Sequence, residues 1–304
     1  MTTTIIGGAS GDLGTRIVTL LLEQLSPERL ILLTRTPEKL AWASELGAQV
    51  RQADYDDPDG LEQALAGGDT LMLISTLSIG RRPQQHGNAI NAARAAGIGH
   101  IVYTSSIGIQ PRTPSLSGQE HYATEVMLQG SGVNYTILRN GWYAEVVPTL
   151  IMKPSMDAGA FVASTGNGSI APVSKQDCAR AAAAVLAAPA NHDHAIYEIT
   201  GPDLLTFSDI AALMSRLSGK QVPYVNVSHE EKQAIFDSLG VSRDYEEGMM
   251  NEQTNAWASS EMITYEMAIK QLYFAICSRH VELLTGTPAA PLEDVIMQHA
   301  VAWQ

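Results

Sequence analysis

The feature that most constrains this chain is a glycine-spaced loop near its start. Gly7-Gly8-Ala9-Ser10-Gly11-Asp12-Leu13-Gly14 follows a short β-rich run, Thr3–Gly7. It opens an amphipathic stretch, Gly14–Leu25, in which Ile17, Leu20, Leu21 and Leu25 share one side. Counted from Gly8, the spacing is Gly-x-x-Gly-x-x-Gly. Glycine there permits a tight turn, close approach of backbone to a pyrophosphate, and close packing of the helix on the sheet. The helix start would aim its free N–H groups and positive dipole end at the phosphates. The loop predicts dinucleotide binding by Gly8, Ser10, Gly11, Asp12, Leu13 and Gly14.

The first half alternates β-rich and helical segments. Strands are expected at Leu30–Thr34, Gln49–Ala53, Thr70–Ser75, Ile101–Ser105 and Tyr135–Arg139. Helices are expected from Pro37, from Pro58 behind an Asp57 cap, and over Gln84–Ala96 and Gln119–Gln129. Such alternation implies βαβ units and a parallel sheet covered on both faces. The fold class is α/β: a doubly wound Rossmann domain over residues 1–155 and a smaller α+β lobe over 156–304, some of whose segments return to the sheet. A flavodoxin-like fold with a glycine-rich turn is the alternative. In the second half, strands are expected at Ala160–Ala163 and Ile196–Ile199. Helices are expected at Gln176–Ala188, Ser208–Leu217 and His229–Leu239, with one or two more across Asn251–Leu284.

Composition excludes several functions. The net charge of −13, with no run of Lys and Arg, argues against nucleic-acid binding. Cys178 and Cys277 lie far apart, which argues against a disulfide framework or a cysteine-ligated metal. No signal peptide or membrane span is legible, so a cytoplasmic location is expected. His192-Asp193-His194 lacks a third ligand and reads as a polar loop. The acidic run at 54–59 lacks the central glycine and terminal glutamate of a calcium loop. No metal site is expected, and methionines 249, 250, 262 and 267 read as adaptable core or pocket lining.

The end of the second strand speaks to cofactor choice. An NAD enzyme usually places an acid there, about 20 residues after the loop. This chain has Arg35, with Thr36 and Lys39 nearby. A guanidinium suits a 2′-phosphate through paired hydrogen bonds, so NADP(H) is favoured over NAD(H). Asp54 and Tyr55 would flank the adenine, and Ser75 and Thr76 the nicotinamide half.

Gly8–Gly14, Arg35, Asp54-Tyr55, Tyr103-Thr104-Ser105, His121-Tyr122-Ala123-Thr124-Glu125 and Leu138-Arg139-Asn140-Gly141-Trp142-Tyr143 together resemble the NmrA-like branch of atypical short-chain dehydrogenases/reductases. Within it the chain is most similar to bacterial NADPH-dependent quinone oxidoreductases and triphenylmethane dye reductases. The superfamily's active-site Tyr-x-x-x-Lys is missing: Tyr122 is followed four residues later by Val126. Extended members read Tyr-x-x-x-Lys-x-x-x-Glu, and Ser117-x-x-x-His121-x-x-x-Glu125 has that spacing. Ser105 matches the usual serine. The resemblance is weakest over Tyr245–Tyr273.

The resemblance implies hydride transfer from NADPH to an electron-poor conjugated acceptor, such as a quinone or cationic dye, which needs no strong protein acid in the rate-limiting step. The expected catalytic residues are His121, Ser105 and Ser117. His121 is read as orienting the nicotinamide ribose, as protonating the product, or as filling the lysine's space. Asn140, Trp142 and Tyr143 would meet a flat aromatic acceptor; aromatic packing between the lobes is their ordinary role. Two rival readings are a non-enzymatic NADP-binding redox sensor acting on a protein partner and a reductase of a specialised biosynthetic pathway. The expected partner is a small molecule, and a homodimer is compatible with the reading.

Overall fold

The computed structural model describes residues 2–245 and 258–303. Met249, Met250 and the rest of the stretch 246–257 thus lie outside the described residues. The first part runs β1 (Thr4–Gly7), α1 (Asp12–Leu22), β2 (Leu30–Thr34), α2 (Ala41–Glu45), β3 (Gln49–Gln52), α3 (Pro58–Leu65), β4 (Thr70–Leu73), α4 (Arg82–Ala95), β5 (His100–Ser106), α5 (Leu116–Gln129) and β6 (Asn134–Asn140). The second part runs α6 (Met152–Ala158), β7 (Phe161–Ala163), β8 (Ser169–Ile170), α7 (Lys175–Ala187), β9 (Ala195–Ile199), β10 (Leu205–Thr206), α8 (Phe207–Ser218), β11 (Tyr224–Asn226), α9 (His229–Ser238), α10 (Ser259–Lys270), α11 (His280–Thr285) and α12 (Leu292–Gln298).

Seven strands form one parallel sheet in the order β3-β2-β1-β4-β5-β6-β9. The first six follow the doubly wound order, which reverses between β1 and β4. Alternating strand residues feed two cores. Ile6, Leu32, Val102 and Leu138 meet α1, α7 and α11 on one face. Ile5, Leu33, Leu71, Tyr103 and Ile137 meet α3, α4 and α5 on the other. The expected Asp57 cap forms: its carboxylate accepts from Gly60 N–H before Pro58 opens α3. Ser115 Oγ accepts from Gly118 N–H, which starts α5 three residues before the expected Gln119.

A third core gathers Phe161, Ile170, Phe207, Ile210, Met214, Ile269, Phe274 and Trp303 into a smaller lobe. Its small sheets pair β8 with β10 and β7 with β11. The stretch across 251–284 contains two described helices, α10 and α11, separated by a turn. The chain leaves the sheet after β9 and returns beside the same point. There Ser278 N–H donates to Thr200 Oγ1 at 2.9 Å, and Glu198 N–H donates to His280 Nδ1 at 2.9 Å.

Candidate active site

The glycine loop sits at the carboxyl edge of the sheet, at the reversal of strand order. Gly8 adopts φ +69°, the left-handed region that glycine enters without strain. A Cβ on Gly14 would lie 2.3 Å from Gly8 O, so α1 packs closer to the loop than any side chain permits. Ala9 N–H donates to Leu33 O at 3.1 Å, pinning the loop to β2. Ser10 Oγ shares a 2.7 Å hydrogen bond with Thr34 Oγ1. Gly11 is the N-cap of α1 and carries no side chain over the helix's free N–H groups. This cradle of bare backbone fits a pyrophosphate. Leu13 faces inward to the core. Asp12 stands at the first helical position, bonded to Lys175 at 2.8 Å and Arg16 at 2.7 Å. These two cations hold its carboxyl below the usual range despite the upward push of burial.

Arg35 and Lys39 are exposed beyond β2, and among the described residues neither side chain has a partner. Asp54 Oδ1 accepts from Asp56 N–H. Tyr55 is placed inward: its buried hydroxyl has no partner and lies where a Cβ on Gly7 would be 2.1 Å away. Its ring packs partly into the core instead of standing free.

A chain of contacts runs from β4 to α5. Thr76 N–H donates to His86 Nε2 at 3.2 Å, so that nitrogen is unprotonated, and Nδ1–H faces Thr124 Oγ1 at 3.0 Å. Burial, helped by the Arg82 charge, pushes the His86 pKa down to about 3. Thr76 Oγ1 donates to Gln85 Oε1 at 2.7 Å, and Ser75 N–H to Thr104 Oγ1 at 2.8 Å. The guanidinium of Arg82 donates to Thr76 O and to Glu120 Oε2 at 2.7 and 2.8 Å. Behind them the fully buried Tyr103 hydroxyl meets His121 Nδ1 at 2.6 Å. Burial keeps this phenol protonated, and its hydrogen needs an acceptor. With the phenol donating to Nδ1, His121 is the Nε2–H tautomer; with the phenol turned to Thr124, which also lies within its hydrogen-bonding reach, Nδ1 carries the hydrogen. Burial first, then Arg82 and His86, hold His121 well below its ordinary pKa, so it is neutral near pH 7. Its Nε2 has no partner among the described residues and keeps contact with solvent.

The two serines have definite partners. Ser105 Oγ donates to Glu125 Oε1 at 2.6 Å. That carboxylate also takes Arg139 Nε at 2.9 Å and Nη2 at 2.7 Å. Arg139 reaches on to Glu198 at 3.0 Å. Ser105 thus belongs to a network tying β5, α5, β6 and β9 together. Ser117 Oγ donates to Glu261 Oε1, and Ser117 N–H donates to Glu261 Oε2 at 3.1 Å.

The residues after β6 diverge. Asn140 is buried; its Nδ2 lies 3.4 Å from Tyr143 Oη, and its Oδ1 has no partner. Tyr143 packs toward α1 and α7, with Lys175 Nζ 5.6 Å from its ring centre. Burial raises its phenol pKa. Trp142 turns into the smaller lobe, 6.1 Å from Phe207 between ring centres. The structure brings Ser117 and His121 onto one face of α5, whereas Trp142 and Tyr143 point to different cores.

An NAD(P)H-binding family model matches residues 8–189, which span the loop, the sheet from β2 to β6 and α7. The chain belongs to the NAD(P)H-binding family. It is 39% identical to quinone oxidoreductase 2 of Escherichia coli over 237 residues, 78% of this chain and 82% of that one. It is 26% identical to the NAD(P)H azoreductase of Xenophilus azovorans over 98% of both chains. The structure of the E. coli NADPH-dependent quinone oxidoreductase complexed with NADPH superposes with a TM-score of 0.87 at 32% identity, covering 97% of this chain and 99% of that one. The Citrobacter triphenylmethane reductase complexed with NADP(H) gives 0.85 at 28%, covering 98% and 100%.

In this member of the family Arg82, Glu120 and Glu261 enter the site without a sequence motif that names them, and Tyr103, part of the Tyr103-Thr104-Ser105 motif, enters it through His121. Glu120 is adjacent to His121 in the sequence, whereas Tyr103 lies 18 positions before it on β5. Glu261 is 144 positions from Ser117, and no local pattern announces it.

Proposed function

We propose that this protein is an NADPH-dependent reductase that delivers hydride to a quinone-like or other conjugated aromatic acceptor. The observation that carries this reading is the pairing of the bare glycine cradle with a neutral His121 whose Nε2 has no partner among the described residues. Bound NADPH would supply the hydride. Gly8, Gly11 and the first turn of α1 would hold its pyrophosphate, and Arg35 with Lys39 its 2′-phosphate. Ser75 and Thr76, just past β4, would face the nicotinamide half. His121 then orients by hydrogen bonding; a neutral imidazole does not serve as a strong acid at pH 7. The acceptor class draws support from the quinone, azo and dye reductases among the relatives.

A second reading, an NADP-binding redox sensor, draws support from the engaged hydroxyls of Ser105 and Ser117. Stopped-flow absorbance at the NADPH band separates the two. A reductase shows acceptor-dependent decay with some member of a panel of quinones, cationic dyes and conjugated ketones. Because His121 orients and does not donate the proton, His121→Ala should slow that decay moderately, by less than the roughly 10²–10⁴-fold that positioned proton transfer contributes. Tight NADPH binding without decay for any acceptor would favour the sensor.

A further inference from the structure

The smaller lobe sends one carboxyl group into the α5 face. Glu261, in the first turn of α10, is 3% exposed, and both its oxygens engage Ser117. Thr264, one turn on, meets Leu116 N–H at 3.4 Å, so α10 covers the start of α5. On α5, Ser117 is followed three and four residues later by Glu120 and His121, and those spacings share one helix face. Arg82 of α4 enters the same region, paired with Glu120. The charged and titratable groups acting on Glu261 are therefore Arg82 from α4, Glu120 from α5, and Tyr265 from its own helix. Arg82 is bonded to Glu120 and acts on Glu261 only at longer range, so a carboxylate at 261 has no bonded cation among the described residues. Burial also disfavours a second carboxylate.

Resting on the reductase reading above, we propose that Glu261 is a positioning residue that supplies a proton, through the Ser117 hydroxyl, to the oxygen of a carbonyl-type acceptor. Ser117 is only half-buried, whereas Glu261 lies behind it. When Glu261 is protonated, its O–H donates to Ser117 Oγ, and the serine hydrogen is freed to turn either to Ser115 Oγ, 3.1 Å away, or to an acceptor oxygen. An acceptor that takes hydride at carbon carries the electron pair of its former C=O π bond on oxygen. The serine O–H bond breaks toward that oxygen, and the Glu261 O–H bond breaks toward Ser117 Oγ. The products are a reduced acceptor O–H, an unchanged serine and a Glu261 carboxylate, which solvent reprotonates. Among its neighbours, burial holds Glu261 above the ordinary carboxyl range, partly offset by the Ser117 hydrogen bonds.

The role makes acceptors diverge. A quinone needs this proton, whereas a cationic dye is neutralised by hydride alone. Glu261→Gln and, separately, Ser117→Ala should each raise the ratio of dye to quinone turnover by roughly 10². The decline in wild-type quinone turnover as pH rises should flatten in Glu261→Gln. An equal loss for both acceptors in both variants would reduce Glu261 to a packing contact and overturn the proposal. Infrared difference spectra of the resting protein, wild type minus Glu261→Gln, provide a readout without turnover. A protonated-carboxyl band persisting above the ordinary glutamate range is expected; its absence overturns the proposal. If wild type reduces neither acceptor while the band persists, the reductase reading fails, and with it the proton's destination; Glu261's protonation stands.

Discussion

The glycine loop and the start of α5 both lie at the carboxyl edge of the sheet, yet they are built by different means. The loop is local: eight consecutive residues set its shape, and bare backbone does the work. Gly14 is required because a backbone oxygen lies 2.3 Å from where its Cβ would be. The start of α5 is assembled from afar, with Arg82 from α4 and Glu261 and Thr264 from α10. A backbone-built site tolerates almost no substitution and is legible in a short motif. A site built from side chains of several elements can change one partner at a time.

The sharpest break of this contrast lies within the loop itself. Gly14→Ala should destabilise the protein by about 3 kcal/mol, because a rigid backbone oxygen cannot move aside, and NADPH binding should be lost with it. Gly11→Val should remove binding while the fold survives, since a Cβ there meets Gly8 O at 3.4 Å, an ordinary contact. Calorimetry with NADPH titration and circular dichroism tests both; unchanged affinity in folded Gly11→Val would refute the cradle.

Next in size is Arg35→Ala. A charge-assisted hydrogen bond contributes about 1.5–3 kcal/mol. NADPH affinity should fall by one to two decades, roughly tenfold per 1.4 kcal/mol, with NADH barely changed. Equal losses for both would show that Arg35 does not read the 2′-phosphate.

Ser105→Ala probes the side-chain-built region. Glu125 would lose one of three donors, at a cost of about 1–2 kcal/mol in urea unfolding. A large loss of turnover in protein of nearly unchanged stability would place the serine at the chemistry instead of in the network.

The smallest effect is a slope. Glu261 is raised in the fold, so its contribution is fully present below its unfolded pKa and is lost as pH rises through the folded one. The stability of wild type relative to Glu261→Gln should therefore fall as pH rises above the ordinary carboxyl range. Thermal unfolding across pH measures it. A gap that widens with pH would mean that Glu261 acts as an anionic cap of α5.

The same contrast explains what could be read in advance. Strand alternation and glycine spacing report short-range sterics, so β1 to β6, α1 and the Asp57 cap were legible, with helix starts shifted by two or three residues. The spacing Ser117–His121–Glu125 was legible as a helix face, but its partners were not. The Ser105 hydroxyl could not be assigned to Glu125 without knowing that Arg139 on the neighbouring strand organises the carboxylate. The inward turn of Tyr55 depends on contact with Gly7 across two strands, which periodicity does not encode.

The neck at Thr200 and Ser278 bears on how acceptor preference can be exchanged between relatives. Everything between those two residues, including α8, α9 and α10 with Glu261, leaves and re-enters at one hydrogen-bonded point. The sheet, α7 and α11 lie outside it, and β7 and β8 remain behind as docking edges for β11 and β10. That stretch is a natural cassette. Transplanted whole from a relative, it would replace the proton source and part of the acceptor's surroundings in a single graft, without disturbing a strand of the cofactor-binding sheet.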